Sequence, residues 1–373
     1  MTRALIVGGG ISGLATAIAL AGRGVEVELV DRDSRIHALG SGIGLISPAL
    51  RALDRLGLYE LCAGSGYVMD DFELYDPEGR QLTRFPLPRA VGADLPGMMG
   101  MMRPELHRIL LDRATALGVD VRTGTSIASI EHATSSATVT FDGAREPATF
   151  DLVVGADGLR STVRGLVVGD VEMRFLGQGI FRVVLPRPAE LTTKCQIVGG
   201  EEITIGFTPT GADSMYMYVL FPIEASFRPA AADMPELVRK RIEPFGGFAA
   251  QVRDRIGDTT PINYTRFENL VVPRPWYRGR VVVLGDAAHA TTPHLAAGAA
   301  MCLEDVVALG EELDAAGDLD AGLDQFTERR FDRARYVVET SAQISHWETH
   351  PDTPGADHAG LMSEAFARLA QPF

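Results

Sequence analysis

The sequence predicts an α/β protein: a doubly wound, Rossmann-like domain that carries an inserted, mostly antiparallel β-sheet domain and ends in helices. Three observations lead to this prediction. Residues 4–31 follow a strand–helix–strand pattern, which is typical of a parallel βαβ unit. Residues 176–222 have strand composition with almost no helical periodicity. Two long helical patterns, about 297–316 and 320–346, follow near the end of the chain.

The types of strand indicate how the chain is divided. Short apolar runs of the kind buried in parallel sheets stand near both ends and in the middle of the chain, and antiparallel-type strands stand between them. The sequence therefore predicts two interleaved domains and a tail. We expect a nucleotide-binding domain of residues 1–70, 98–175 and 268–345, a second domain of residues 71–97 and 176–267, and a tail of residues 346–373.

The remaining elements follow from periodicity and from turn residues. Alternating runs on either side of Pro77 and Gly79 predict a hairpin at 71–85. We interpret the methionines within 98–102 as adaptable packing under a mobile loop. Further expected elements are helices at 49–63, about 104–117 and 234–256, three or four short strands within 119–155, strands at 262–268 and 280–286, and a short helix near 360–370.

Composition and charge exclude several classes of protein. The chain has 373 residues, 46% of them hydrophobic, which excludes wholesale disorder. Its net charge of −14, without a basic run, argues against binding to nucleic acid or to an acidic membrane surface. No apolar run reaches the roughly 18 residues of a spanning helix. The separated cysteines Cys62, Cys195 and Cys302 are typical of reduced thiols, so we expect a cytoplasmic protein.

The first binding motif is a glycine-rich turn between the first strand and the first helix. Gly8, Gly10 and Gly13 form G-x-G-x-x-G, in which glycines permit a tight turn, close approach of a pyrophosphate and close packing of helix on strand. The helix N-terminus adds free N–H groups for the anion. Asp31 ends the second strand, where its carboxylate can bind ribose hydroxyls and would repel a 2′-phosphate. Arg32 fits either a ligand contact or a solvated surface residue.

Two acidic motifs follow later strands. Asp157 ends an apolar strand within GADGLRS, and Asp286 ends another within GDAAH. Ligands of open α/β sheets gather at the carboxyl ends of strands, so Asp286 can accept hydrogen bonds from a sugar or polyol. Capping of a helix N-terminus is the alternative role for both aspartates. The helix that begins between Pro293 and Gly298 offers a second positive end, which favours a large dinucleotide as the ligand.

Taken in order, the glycine turn, Asp157-Gly158 and Gly285-Asp286 with the trailing Ala-Ala-His and Pro293 resemble the FAD-dependent class A aromatic monooxygenases, typified by para-hydroxybenzoate hydroxylase. The resemblance extends over about residues 1–350. It implies non-covalently bound FAD, with NADH or NADPH as a transient reductant. It also implies that molecular oxygen hydroxylates an aromatic or polyketide-like small molecule through a flavin C4a-hydroperoxide. The alternatives are a flavin oxidase, reductase or cyclase on the same scaffold, and a non-catalytic dinucleotide sensor.

The resemblance also implies roles for single residues. Asp31, where the family more often has Glu, would bind the adenosine ribose, and Asp286 would bind the ribityl chain. Ala299 and Ala300 stand where family members often carry a further glycine. The other implied cofactor positions are Gly8, Gly10 and Gly13 at the pyrophosphate, Asp157 near FAD and the nicotinamide, Arg103, Gly42 and Gly44 beside the flavin, and Pro293 and Gly298 at its pyrimidine ring.

Candidates on the substrate side come from the strand-rich section and from the last motif. Arg182 and Tyr216 lie on strands that can face a cavity; a surface arginine and plain packing against the flavin domain are the alternatives. His294 can act as a base for a phenol, or it can be a hydrogen-bonded structural residue. His346 and His350 have no evident third ligand, so no metal site is expected. We expect a monomer or a homodimer.

Overall fold

A computed structural model describes residues 1–35, 40–199 and 202–373. It confirms the predicted α/β architecture, because a mainly parallel sheet with helices and a second, mostly antiparallel sheet are built from alternating stretches of the chain. Within the described residues, no helix is both long enough and apolar enough to cross a membrane.

Strands form where apolar, β-branched and aromatic residues alternate or cluster. In chain order they are β1 (Arg3–Val7), β2 (Glu26–Val30), β3 (Gly42–Ile46), β4 (Tyr67–Met69), β5 (Asp71–Tyr75), β6 (Gln81–Pro86), β7 (Met98–Met102), β8 (Asp120–Arg122), β9 (Ile127–His132), β10 (Ala137–Phe141), β11 (Ala148–Phe150), β12 (Leu152–Gly155), β13 (Arg174–Pro186), β14 (Lys194–Ile197), β15 (Thr204–Pro209), β16 (Ser214–Pro222), β17 (Ile262–Asn269), β18 (Tyr277–Arg278) and β19 (Val281–Val283).

Helices occupy the segments with helical periodicity, but two predicted helices are each divided in two. The chain turns at Gly57 (φ +69°) and at Gly247 (φ +57°), and this left-handed backbone favours glycine and interrupts an α-helix. In chain order the helices are α1 (Ile11–Ala21), α2 (Ser47–Arg55), α3 (Tyr59–Ala63), α4 (Arg103–Ala116), α5 (Thr162–Val167), α6 (Met234–Ile242), α7 (Gly247–Arg253), α8 (Gly298–Ala315), α9 (Leu319–Thr349) and α10 (His358–Ala370).

The first sheet has the strand order β18-β19-β12-β1-β2-β8. All neighbours in it pair in parallel except β18, which is antiparallel to β19. The chain moves outward from β1 through β2 to β8, and later fills the other side with β12 and β19. The order therefore reverses between β1 and β12, and ligands of such sheets bind beyond the carboxyl ends of the strands at this reversal. The turns after β1, β12 and β19 meet there.

The second sheet has the order β17-β13-β16-β15-β14-β5-β6 and is antiparallel apart from the β14–β5 pair. The predicted hairpin of β5 and β6 forms its edge. One face is covered by α6 and α7, and the side chains between them form a separate core that includes Phe181, Met217 and Val238. Because side chains alternate along a strand, the residues between these core positions point to the opposite face. We call this opposite face the cavity face.

A small antiparallel sheet, β4-β7-β3, contacts the second sheet through Gly42 and Gly100. The methionines within 98–102 do serve as packing, because Met98, Met99 and Met101 are buried, but the expected mobile loop is wrong, since these residues form β7. Gly42 on β3 pairs with Met102 on β7. This pairing brings Gly42 beside the start of α4, where the predicted flavin contact Arg103 lies.

The end of the chain is also more ordered than a tail. Helix α9 continues past its predicted end near residue 346, and α10 packs on α9 and α2. Arg51 on α2 donates hydrogen bonds to the main-chain oxygens of Ala370 (3.2 Å) and Gln371 (2.9 Å), and its guanidinium lies 5.3 Å from the ring centre of Phe373. These contacts attach the last residues to the first domain.

Candidate active site

The glycine-rich turn after β1 has the geometry that phosphate binding requires. Gly8 has φ +108°, and a Cβ on Gly13 would overlap the carbonyl oxygen of Gly8, so both positions need glycine. Gly10 differs, because a Cβ there would meet nothing within 4 Å. Helix α1 begins directly after it without a side-chain cap. The turn therefore presents open space and unsatisfied N–H groups to an anion.

Asp31 lies beside this turn, at the carboxyl end of β2. Its Oδ2 accepts a hydrogen bond from the Gly9 N–H at 2.6 Å, and its Oδ1 accepts from the Asp33 N–H at 2.8 Å. The carboxylate is thereby fixed next to the phosphate-binding turn, where the sequence places the adenosine ribose. Arg32 is exposed.

Asp157 follows β12 at the same edge of the sheet. Its carboxylate accepts hydrogen bonds from the N–H groups of Thr162 (2.7 Å) and Val163 (3.1 Å) and from the Ser161 hydroxyl. These N–H groups belong to the first turn of α5, so the observed contacts of Asp157 are those of a residue that caps a helix N-terminus. A role for Asp157 toward FAD or nicotinamide stays a prediction.

The turn after β19 carries Asp286 at the cofactor edge. Gly285 has φ +59°, and a Cβ on it would overlap Ser12 at the start of α1, so this turn packs directly on the first motif. Asp286 is exposed although β19 before it is buried. Burial by the surrounding protein nevertheless raises the pKa of the Asp286 carboxyl, against the opposing charges of His289 and Arg103. An accessible carboxylate enclosed by protein points into a cleft.

A buried network of ion pairs is hydrogen-bonded to this turn through the Gly285 N–H. Sequence reasoning missed this network. Asp305 Oδ2 accepts hydrogen bonds from the Gly285 N–H (2.9 Å) and from His289 Nε2 (2.5 Å), and Asp305 Oδ1 accepts from Arg330 Nε (2.7 Å). Glu304 accepts from Arg330 Nη1 at 3.0 Å. Burial pushes the pKa of Asp305 up, but His289 and Arg330 hold it below the usual value. The signal available in the sequence was the pair of adjacent acidic residues, Glu304 and Asp305, inside the apolar run of α8, because buried charges require partners.

Helix α8 supplies the second positive end that the sequence predicts. It begins at Gly298, as expected, and has no side-chain cap. A turn at Pro293–Leu295 and Ala296, with φ +50°, lead into it. A Cβ on Gly298 would meet only a methyl group of Thr291, at 3.7 Å. The first N–H groups of α8 are therefore available to a ligand with negative charge.

The cavity face brings the predicted substrate-side residues close to this cleft. Burial, together with the charge of Arg103, lowers the pKa of Arg182 to about 10. Burial raises the pKa of Tyr216, and the charges of Arg182 and Arg103 partly offset this rise. The Tyr216 ring lies directly on Gly42, where a Cβ would overlap it. Gly44 is equally close to the Met98 side chain.

His294 has protein partners on both ring nitrogens. Nδ1 lies 2.8 Å from Thr292 Oγ1, and Nε2 lies 3.1 Å from Gln178 Oε1 and 3.3 Å from Glu348 Oε2. Only 1% of its side chain is exposed, and its ring meets Phe267 edge to face. These contacts correspond to the structural alternative, and a role as base for a phenol stays a prediction.

Comparison with known proteins agrees with this geometry. A family model described as FAD binding domain matches residues 1–341. The chain belongs to this FAD-binding family. The 2-heptyl-3-hydroxy-4(1H)-quinolone synthase of Pseudomonas aeruginosa is 32% identical over 92% of this chain and 90% of that protein. The 3-hydroxybenzoate 6-hydroxylase of Polaromonas naphthalenivorans is 30% identical over 91% of this chain and 86% of that protein.

Solved structures show the same fold. The structure of Klebsiella pneumoniae HpxO in complex with FAD and uric acid superimposes with a TM-score of 0.83 at 23% identity, covering 99% of this chain and 92% of that one. The family match and the similarity to the two relatives confirm the resemblance to class A aromatic monooxygenases, and the chain is a FAD-dependent monooxygenase. FAD fits the observed site, because the open backbone at Gly10, the carboxylates of Asp31 and Asp286 and the start of α8 border one edge of the first sheet.

Substitution of Gly42 tests the packing of β3 against Tyr216 on the cavity face. Gly42→Ala is expected to lower the free energy of unfolding by about 1–3 kcal/mol, because the new methyl overlaps the Tyr216 ring. Chemical denaturation measures this. Gly165→Ala is the matched control: it lies in α5 with nothing within 4 Å of the new methyl, and should stabilise the protein by up to about 1 kcal/mol. Equal stability of Gly42→Ala and wild type would contradict the close packing.

Proposed function

We propose that this monooxygenase hydroxylates an aromatic or polyketide-like small molecule, with NADH or NADPH as the reductant and molecular oxygen as the oxygen donor. The observation that carries the proposal is the packing of the Tyr216 ring on Gly42, whose strand partner Met102 directly precedes Arg103. Arg182 lies on the same face of the second sheet, opposite Tyr218, so two cations and an aromatic ring lie near the cofactor edge. The names of two relatives, a hydroxybenzoate hydroxylase and a hydroxyquinolone synthase, denote compounds with aromatic rings.

The cofactor and the chain have separate tasks in this proposal. When bound, FAD supplies the redox chemistry, accepting a hydride from the nicotinamide and activating oxygen for transfer to the ring. Asp286 binds the ribityl hydroxyls, and the open N–H groups at Gly298 stabilise negative charge on the flavin pyrimidine. Arg103 and Arg182 add positive charge at the same place. The cavity face excludes water from the reacting groups and holds the substrate ring in position.

Flavin reduction in the presence of candidate substrates tests the proposal. We expect NADH or NADPH to bleach the flavin absorbance rapidly only when one of a panel of phenols is present. The faster nucleotide identifies the reductant. Product analysis under isotopically labelled oxygen should show one labelled atom in the ring product. Turnover without label would indicate an oxidase, reductase or cyclase, and no reduction by either nucleotide would indicate a sensor; both results would contradict hydroxylation.

A further inference from the structure

The cavity face carries one row of polar and aromatic side chains that continues beyond the residues already described. In the strand register, Arg182 on β13 lies opposite Tyr218 on β16, and Tyr218 lies opposite Gly206 on β15. Gln196 on β14 is opposite Gly206 in turn. Lys194, two residues before Gln196, points to the same face, because side chains alternate along a strand.

Lys194 is unusual in this chain. Only two of its 35 basic Lys and Arg residues are lysines, and the other, Lys240, is exposed on α6. Within the described residues, no ion pair joins the Lys194 amine to a carboxylate. Its contacts are the faces of two aromatic rings, with the amine 5.1 Å from the ring centre of Phe72 and 5.9 Å from that of Tyr218. A cation over aromatic faces without a counter-ion is available to an anionic ligand.

Tyr218 gives this place a flat aromatic wall. Its ring lies over Gly206, where a Cβ would overlap it, so the absence of a side chain on β15 lets the ring lie against the sheet. The Tyr218 hydroxyl donates a hydrogen bond to Gln196 Oε1 at 3.1 Å. Burial raises the pKa of this hydroxyl well above its usual value, so the phenol stays neutral and adds no negative charge beside the Lys194 amine.

The same row is continuous with the cofactor cleft. The rings of Tyr218 and Tyr216 lie 6.1 Å apart, and Tyr216 is close enough to Arg182 and Arg103 for both charges to oppose the rise in its pKa. Arg103 in turn acts on the Asp286 carboxyl. Lys194 therefore lies at the far end of a row that begins at the cofactor. Burial lowers the pKa of the Lys194 amine to about 8, which leaves it mainly cationic near neutral pH and poorly solvated.

We propose that Lys194 sets the substrate selectivity of this enzyme: its amine binds an anionic oxygen of the aromatic substrate, either a carboxylate or an ionised ring hydroxyl. The Phe72 and Tyr218 rings hold the ring next to that group, and its other end extends toward Tyr216 and the flavin. This inference rests on the proposed function only in that the ligand is the substrate. Binding of the ligand can be measured without turnover.

The test compares acidic rings with neutral analogues in binding to the FAD-loaded, oxidised enzyme. The probes are 3-hydroxybenzoate with 3-hydroxybenzyl alcohol, and 4-nitrophenol with 4-nitroanisole, at about pH 7.5, where 4-nitrophenol is largely ionised and Lys194 is largely cationic. Calorimetry and perturbation of the flavin spectrum give Kd. We expect wild type to prefer the acid in at least one pair, and the pair that shows the preference identifies the source of the anionic oxygen.

Lys194→Met then removes the charge while keeping side-chain length. It should weaken binding of the preferred acid by about tenfold or more and change binding of its neutral analogue by no more than about twofold. Lys240→Met, which removes the other lysine, should leave both Kd values unchanged. The FAD absorbance and melting temperature of Lys194→Met should match wild type, because the amine has no carboxylate partner to lose.

Three results would overturn the inference. In the first, wild type binds the neutral analogues as tightly as the acids, or binds none of the four probes. In the second, Lys194→Met binds the acid as tightly as wild type does. In the third, the variant loses affinity for acid and neutral analogue alike, which would assign Lys194 to packing. Failure of the hydroxylation assay with normal selectivity for acids would count against the proposed function alone.

Discussion

Asp286→Ala is expected to raise the Kd for FAD by about ten- to a hundredfold, so that the protein loses its flavin on gel filtration. A hydrogen bond to a charged group contributes about 1.5–3 kcal/mol, and Asp286 is the carboxylate that faces the cleft between the turn after β19 and Arg103. Flavin fluorescence during titration of the apoprotein with FAD measures the change.

The stability of the apoprotein separates this effect from unfolding. Burial raises the pKa of Asp286 in the folded chain, so at neutral pH its ionisation opposes folding. Asp286→Ala should therefore leave the melting temperature of the apoprotein unchanged or raise it, while the increase in melting temperature that FAD produces in wild type is lost. Asp142→Ala, at an exposed position, is the control and should keep both. Normal retention of FAD by Asp286→Ala would contradict the role of Asp286 in binding the ribityl chain.

Local geometry explains why the cofactor turns could be predicted from the sequence. A Cβ on Gly13 would overlap the carbonyl oxygen of Gly8, and Gly8 itself has φ +108°, so the spacing of these two glycines is explained within one turn. The strand–helix–strand pattern around them is equally local. The alternation Met215, Tyr216, Met217 likewise separates the core side of β16 from its cavity face, although the sequence alone could not say which side faced the flavin.

The features that sequence reasoning missed depend on contacts between distant segments. Strand β7 has no alternating pattern because it is buried on both faces, and period-two patterning reports only half-buried strands. His294 is a candidate base in the sequence, but Gln178 and Glu348, far from it along the chain, contact its Nε2. Lys194 could not be singled out from the sequence, because its contacts are the rings of Phe72 and Tyr218 on other strands.

Arg330→Met is expected to lower the free energy of unfolding by about 3–5 kcal/mol and the melting temperature by roughly 10 °C. Arg330, Glu304 and Asp305 are fully buried, so removing the cation leaves acids that water cannot solvate. Glu304 keeps Arg333, at 2.8 Å, and the main loss therefore falls on Asp305. Differential scanning calorimetry of the apoprotein measures the loss. Arg335→Met, on an exposed pair with Asp332 in the same helix, should cost less than about 1 kcal/mol.

The pH dependence of this loss identifies Asp305 as its origin. In wild type, His289 and Arg330 hold the pKa of Asp305 below its usual value, so its contribution to stability is present above the unfolded-state pKa and is lost as pH falls. Without Arg330, His289 still opposes the effect of burial, but the pKa of Asp305 is higher than in wild type. A fall in pH therefore costs the folded variant less stability than it costs wild type. The stability difference between wild type and Arg330→Met should therefore narrow as pH falls toward about 4.

A double variant and the affinity for FAD test the network further. Arg330→Met combined with Asp305→Asn should recover part of the lost stability, because the amide removes the uncompensated charge while its oxygen can still accept from the Gly285 N–H. Arg330→Met should also weaken FAD binding without touching the cleft, since Asp305 holds the turn that carries Asp286. A variant with wild-type stability, or one whose loss is the same at every pH, would show that Asp305 does not depend on Arg330.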